Sequence, residues 1–139
     1  MPNAVILDAQ SLGPDIDLTA IRDAVTHLEI HQQSTTAQAR ERLADAEIAI
    51  VNKVRLDAET LSQLPSLRLI CVLATGLNNI DLDAAKAHNI TVKNVSAYGT
   101  ASVSQHTLML MLSLANRLPR YQADIADGKW QASDFFCLQ

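Results

Sequence analysis

The sequence predicts an α/β fold in which a five-stranded parallel sheet is wound by helices on both faces. Three observations carry the prediction. Short apolar runs of strand length alternate with segments of helical period up to about Asn94. The fourth run, Leu69–Leu73 (LICVL), is apolar without interruption, as a strand covered on both faces must be. Polar residues able to cap a helix, Thr35, Asp57 and Asp81, stand where helical segments begin.

Taken in order, Ala4–Leu7 reads as the first strand, closed by Asp8, and Leu18, Ile21 and Val25 follow at helical spacing. His27–His31 alternates and makes the second strand. Thr35 and Thr36 sit at a helix start, and Ala39, Leu43 and Ala46 mark the inner face of that helix. Glu47–Val51 is the third strand. Asp57 caps a short helix that carries Leu61 and Leu64 and stops at Pro65. After Leu69–Leu73, Asp81 opens the helix Leu82–His88, and Ile90–Val92 forms the fifth strand. Right-handed crossovers leave a doubly wound, flavodoxin-like strand order for residues 1–99.

Beyond that lobe the pattern changes. Thr100–Leu118 reads as one long helix, and Leu108–Ala115 is apolar nearly all round. A helix apolar on every face must be covered on every face, by a second domain, a second subunit or both. Arg120–Gln139 holds Gly128, Trp130, Phe135 and Phe136 and reads as an aromatic arm of interface type. The chain is therefore expected to be part of something larger.

At 139 residues the chain has the size of one domain. With 48% hydrophobic and 19% charged residues it is neither disordered nor fibrous. Eleven Lys and Arg against fifteen Asp and Glu give a net charge of -4, which argues against nucleic acid or an anionic membrane as partner. No apolar run reaches the ~20 residues of a membrane span, and the opening Met-Pro-Asn has no basic leader region. Cys71 and Cys137 make no metal spacing, so free thiols in the cytoplasm are expected.

In an open parallel sheet, ligands bind beyond the carboxyl ends of the strands. That rule singles out Asp8, Asn52 and Lys53, the loop Ala74–Asn79, and Asn94–Ser96. Gly76 permits close backbone approach, the amides around it can hold a carboxylate or phosphate oxygen, and Lys53 adds positive charge. The same residues also suit an ordinary strand-to-helix turn, with Asn78 and Asn79 as turn formers and Lys53 solvated. His27, His31, His88 and His106 have no metal-ligand spacing, and His106 on its apolar helix reads as a packed residue. No Ser-His-Asp set, carboxylate pair or G-x-G-x-x-G after a strand can be assembled.

The segment Ala74-Thr-Gly-Leu-Asn-Asn-Ile-Asp-Leu82, then Ala84-Ala85, Asn89–Asn94 and Tyr98–Thr107, resembles the amino-terminal half of the D-isomer-specific 2-hydroxyacid dehydrogenases. Trp130-x-x-Ser133-x-x-Phe136-Cys137 is similar to the glycerate dehydrogenase (hydroxypyruvate reductase) branch. The resemblance implies an NAD(P)H-dependent enzyme that interconverts a short 2-keto acid and its D-2-hydroxy acid, with no metal. It implies that the Rossmann domain and the family's Arg, Glu and His lie beyond Gln139, so this chain alone is expected to be inactive. It places Thr75, Gly76, Leu77 and Asn78 in the loop that holds the substrate carboxylate, Asn52 and Lys53 at its border, and Thr75 and Thr100 at the cofactor. It makes 100–139 an interdomain helix and dimerisation arm. Ser104-Gln105 stands where many members have Ala-Glu, and reads as helix packing or hinge.

Two other readings share the flavodoxin-like order. A receiver-type signalling module needs an acidic pair after the first strand and a carboxylate after the third, where this chain has Asn52-Lys53. A cofactor-sensing relative without catalysis differs in residues outside the chain.

Overall fold

The computed structural model describes residues 1–135; Phe136 and Cys137 of the expected arm, with Leu138 and Gln139, lie outside the described residues. The chain divides into two compact units, Met1–Ser96 and the segment from Ala97 onward.

The first unit is a five-stranded sheet of β1 (Asn3–Ile6), β2 (His27–Ile30), β3 (Ile48–Val51), β4 (Leu69–Val72) and β5 (Thr91–Asn94). All four pairings are parallel, in the order β2-β1-β3-β4-β5. This is the flavodoxin-like order that right-handed crossovers predict. The crossovers carry α1 (Thr19–Ala24), α2 (Thr36–Arg42), α3 (Ala58–Ser62) and α4 (Leu82–Ala87). Alternation along each strand sends its side chains to two separate cores. Val5, Leu7, Ala49, Val51, Ile70 and Val72 join Ala39 and Leu43 of the α2 region, Leu61 and Ala85 in the larger one. Ala4, Ile6, Ala9 and Ile50 form the smaller one, with Leu18, Ile21 and Val25 from the α1 region half-buried against it. The fourth run thus faces the larger core through Ile70 and Val72, while Cys71 and Leu73 face the smaller.

Local chemistry sets the helix ends. Thr35 and Gln38 form a reciprocal capping box: the Thr35 hydroxyl accepts from the Gln38 N–H at 3.2 Å, and Gln38 Oε1 accepts from the Thr35 N–H at 2.9 Å. The carboxylates of Asp57 and Asp81 accept from the N–H of Thr60 and Ala84 at 3.0 and 2.9 Å. α4 ends in a Schellman motif, with Asn89 at φ 59 and Ile90 N–H donating to the Ala85 carbonyl at 2.8 Å. That motif draws Ile90 into the core at 5% exposure, so the fifth strand begins at Thr91 and not at Ile90 as the pattern predicts.

The second unit corrects one expectation. The helix predicted to run from Thr100 to Leu118 is α5 (Thr100–Ala115), and the chain then breaks at Arg117, which adopts φ 53. A new helix, α6 (Leu118–Ala126), starts with Pro119 in its first turn. Proline lacks the N–H a continuing helix would need and clashes with the preceding turn, so Pro119 begins a helix and cannot extend one. The expected arm is helical over much of its length: after Gly128, at φ 71, comes α7 (Lys129–Ala132).

Candidate functional site

The carboxyl ends of β1, β3, β4 and β5 are joined by side chains that bond to neighbouring backbone. Asp8 lies two residues beyond the end of β1 and is only 7% exposed. Its carboxylate accepts from three consecutive backbone N–H groups after β3: Asn52 at 2.9 Å, Lys53 at 2.5 Å and Val54 at 3.2 Å. A buried carboxylate is tolerable only with its lone pairs engaged in this way. The sequence placed Asp8 among the crevice candidates; the structure spends its charge on the β3 loop.

The same loop is held from the other side by Asn79. Its Nδ2 donates to the Val54 carbonyl at 3.0 Å and to the Asn52 carbonyl at 3.4 Å. Leu56 N–H donates to the Asn79 carbonyl at 2.9 Å, and Leu56 and Ile80 form a parallel bridge. The sequence reading placed Asn79 in the candidate ligand loop or, alternatively, as a turn former. Its bonds span 25 and 27 residues, which no local pattern reveals.

The β4 loop is tied to β5 in turn. The Thr75 hydroxyl donates to the Val95 carbonyl at 2.9 Å, the Thr75 carbonyl accepts from Asn94 Nδ2 at 2.7 Å, and Val95 N–H donates to the Ala74 carbonyl at 3.2 Å. Among the described residues, no acceptor meets the N–H groups of Thr75, Gly76 or Leu77. Thr75 and Gly76 are exposed. A Cβ on Gly76 would stand 3.0 Å from Asn78 Oδ1, the tip of an exposed side chain.

The predicted site residues separate accordingly. Asn52, Lys53, Thr75, Gly76, Leu77 and Asn78 lie together on the adjacent loops after β3 and β4. Lys53 and Asn78 are exposed, and Asn52 Oδ1 is buried without a hydrogen-bond partner. Leu77 is half-buried with its side chain packed on the larger core, leaving its backbone as the part available to a ligand. Thr100 opens α5 in the second unit and is exposed. His106, expected to be packed, is exposed on α5, because that helix buries none of its residues in the single chain. His31 Nε2 lies 2.7 Å from Glu29 Oε1, and His88 caps the end of α4. Burial raises the pKa of the Cys71 thiol.

In the second unit, Leu108, Met109 and Leu112 of α5 and Leu118 of α6 line an apolar groove of ≈ 610 Å³. Leu114 and Met111 are 75% and 63% exposed on other sides of α5, so the apolar surface runs all round it, as its sequence requires. No helix among the described residues is long and apolar enough to cross a membrane.

Residues 5–134 match the profile of the D-isomer specific 2-hydroxyacid dehydrogenase catalytic domain. Two curated relatives are the glycerate dehydrogenase of Methylorubrum extorquens, 39% identical over 133 residues, and the hydroxypyruvate reductase of Blautia hydrogenotrophica, 31% identical over 138. The alignments cover 96% of this chain and 42% of each relative, so the chain spans about two fifths of their length. Among solved structures, D-lactate dehydrogenase from Aquifex aeolicus, complexed with NAD and lactic acid, superposes with a TM-score of 0.74 at 28% identity, over 98% of this chain and 40% of that one. The profile takes in nearly the whole chain, both units included: the chain belongs to the D-isomer specific 2-hydroxyacid dehydrogenase family.

Proposed function

We propose that the chain is the substrate-binding lobe, with the following interdomain helix, of a cytoplasmic NAD(P)H-dependent oxidoreductase. Its substrate would be a short 2-keto acid of the hydroxypyruvate or glyoxylate kind, interconverted with the D-2-hydroxy acid. The observation that carries this reading is the row of N–H groups at Thr75, Gly76 and Leu77 with no acceptor, beyond the carboxyl end of an inner parallel strand. Such a row suits a carboxylate oxygen. Lys53, on the adjacent loop, contributes a second attraction for the anion, and the carboxamides of Asn52 and Asn78 border it. Fixing the carboxylate orients C2, and orientation of this kind can supply several kcal/mol toward a barrier.

The dinucleotide finds little in this chain. The Thr75 hydroxyl is engaged by Val95, and Thr100 offers one more; no glycine-rich phosphate turn follows any strand. Hydride chemistry therefore belongs to the larger protein, and this chain's part is to hold and orient the acid. Residues 100–139 are proposed to form the contact of a homodimer, which the exposed apolar surface of α5 supports.

The test is an NMR titration of the 139-residue chain with hydroxypyruvate and with oxalate at constant ionic strength. Saturable shifts of the Thr75, Gly76 and Leu77 amides are expected, with no oxidation of NADH by the chain. Shifts confined to other regions, or none, would overturn the assignment.

A further inference from the structure

We propose that Asn79 is a positioning residue for the anion site, acting through the turn Asn52–Val54. This rests on the reading of Thr75–Leu77 as a carboxylate site and deepens it. The turn has its three N–H groups taken by the Asp8 carboxylate and two of its carbonyls by the Asn79 carboxamide. The two clamps differ in where they are anchored. Asp8 follows the carboxyl end of β1, so it fixes the turn to the neighbouring inner strand. Asn79 belongs to the loop that also contains Thr75–Leu77, so it fixes the turn to the ligand loop itself.

The spacing within that loop gives Asn79 its role. Leu77 carbonyl accepts from Ile80 N–H at 3.0 Å, and Leu56 N–H donates to the Asn79 carbonyl at 2.9 Å. Residues 77–80 are thus a closed turn, and any movement of Asn79 carries Leu77 and its free N–H along. The Asn79 side chain then ties this turn to the backbone on either side of Lys53. Backbone bonds of Leu56 to Asn79 and Asp81 also join the two segments, but the Asn79 carboxamide is the tie that reaches the backbone flanking Lys53. Its two donor hydrogens match the two carbonyls it meets, whereas Asp in its place would set a negative charge against both of them.

The inference predicts coupling between Asn79 and Lys53, which a purely structural role would not produce. Oxalate affinity is measured by amide shifts of the 139-residue chain for the wild type, Asn79→Ala, Lys53→Met and the double variant. Asn79→Ala is expected to weaken binding about three- to tenfold, the worth of one or two hydrogen bonds. The double variant should then bind no more weakly than the weaker single variant, because the ammonium is already misplaced. Additive losses would overturn the inference, as would an Asn79→Ala chain that binds like the wild type. Should Asn79→Ala lose its dispersed spectrum, Asn79→Ser, which keeps a small polar turn-former, is read against Lys53→Met in the same cycle. A wild type that gives no saturable response at Thr75–Leu77 sinks the carboxylate site itself, an outcome distinct from either failure of coupling.

Discussion

Replacing Asp8 by Ala should be among the most damaging single changes to the first unit. The side chain is small and polar, so an account based on apolar burial would expect little. The structure says otherwise: at 7% exposure the carboxylate meets three backbone N–H groups, all of them left without an acceptor by the substitution. A buried donor so stranded costs about 1–3 kcal/mol, which applies in full at Val54, while the part-buried Asn52 and Lys53 donors regain some of it by turning toward water. A net loss of about 3–5 kcal/mol is expected, set against a typical total of about 5–15 kcal/mol. With a urea slope of roughly 2 kcal/mol per molar, the midpoint should fall by roughly 2 M. Trp130, the chain's single tryptophan, sits in the second unit, so its fluorescence follows the wrong part of the molecule. Amide exchange at Val5 and Ile70, both in the first unit's cores, is the suitable readout, and the Asn52, Lys53 and Val54 amides should become fast-exchanging. Asp8→Asn separates hydrogen bonding from volume. It keeps the shape but turns an NH2 toward N–H groups, and should lose about half as much as Asp8→Ala. An Asp8→Asn chain as stable as the wild type, or a midpoint shift below roughly 0.5 M for Asp8→Ala, would refute the reasoning.

Acid stability offers a second check through Asp57. The N–H and hydroxyl of Thr60 both donate to its carboxylate and hold its pKa below the ordinary range. A folded-state value below the unfolded one gives stability that is present above about pH 4 and fades as pH falls through the folded value. Asp57→Asn keeps an acceptor for the helix cap but removes the charge, so wild type and variant should differ at neutral pH and converge in acid; parallel curves would contradict this. The third prediction concerns the apolar groove. Leu112→Glu places a charge among Leu108, Met109 and Leu118, and should shift the sedimenting species from twice the monomer mass to the monomer, without loss of helix by circular dichroism. Equal masses for the two chains would remove the groove from the proposed dimer contact.

Much of the first unit was legible because its determinants are local. The apolar runs, the Thr35, Asp57 and Asp81 caps and the handedness of crossovers lead to five parallel strands in the order observed, with ends displaced by a residue or two. Where the reading missed, the difference lay at element ends. The expected helix stopped at Leu118, just short of Pro119, but the apolar run hid the earlier break at Asn116 and Arg117, after which Leu118 and Pro119 open a new helix. Ile90 looked like the start of a strand, while the Asn89 turn claimed it for the end of α4. Nothing local announces the Asp8 and Asn79 clamps, since each joins backbone groups 25 or more residues away.

Those clamps change how polar residues at strand ends should be weighed. Asp8, Asn79, Asn94 and the Thr75 hydroxyl all stand where a ligand is expected, and each is engaged in joining one loop to the next. A parallel sheet ends in four or five loops whose backbone groups would otherwise face one another unpaired, and short polar side chains are the natural means of pairing them. A polar residue at a strand's carboxyl end is therefore first a candidate for stitching and only then for binding. What points to a ligand is the remainder: groups that stay unpaired after the stitching is complete. Among the described residues the remainder includes three backbone N–H groups, at Thr75, Gly76 and Leu77. Backbone donors can be recognised in a sequence only through the residue that gives access to them. Gly76 is that residue here, and beside it only the resemblance of the Ala74–Leu82 segment pointed to the same loop.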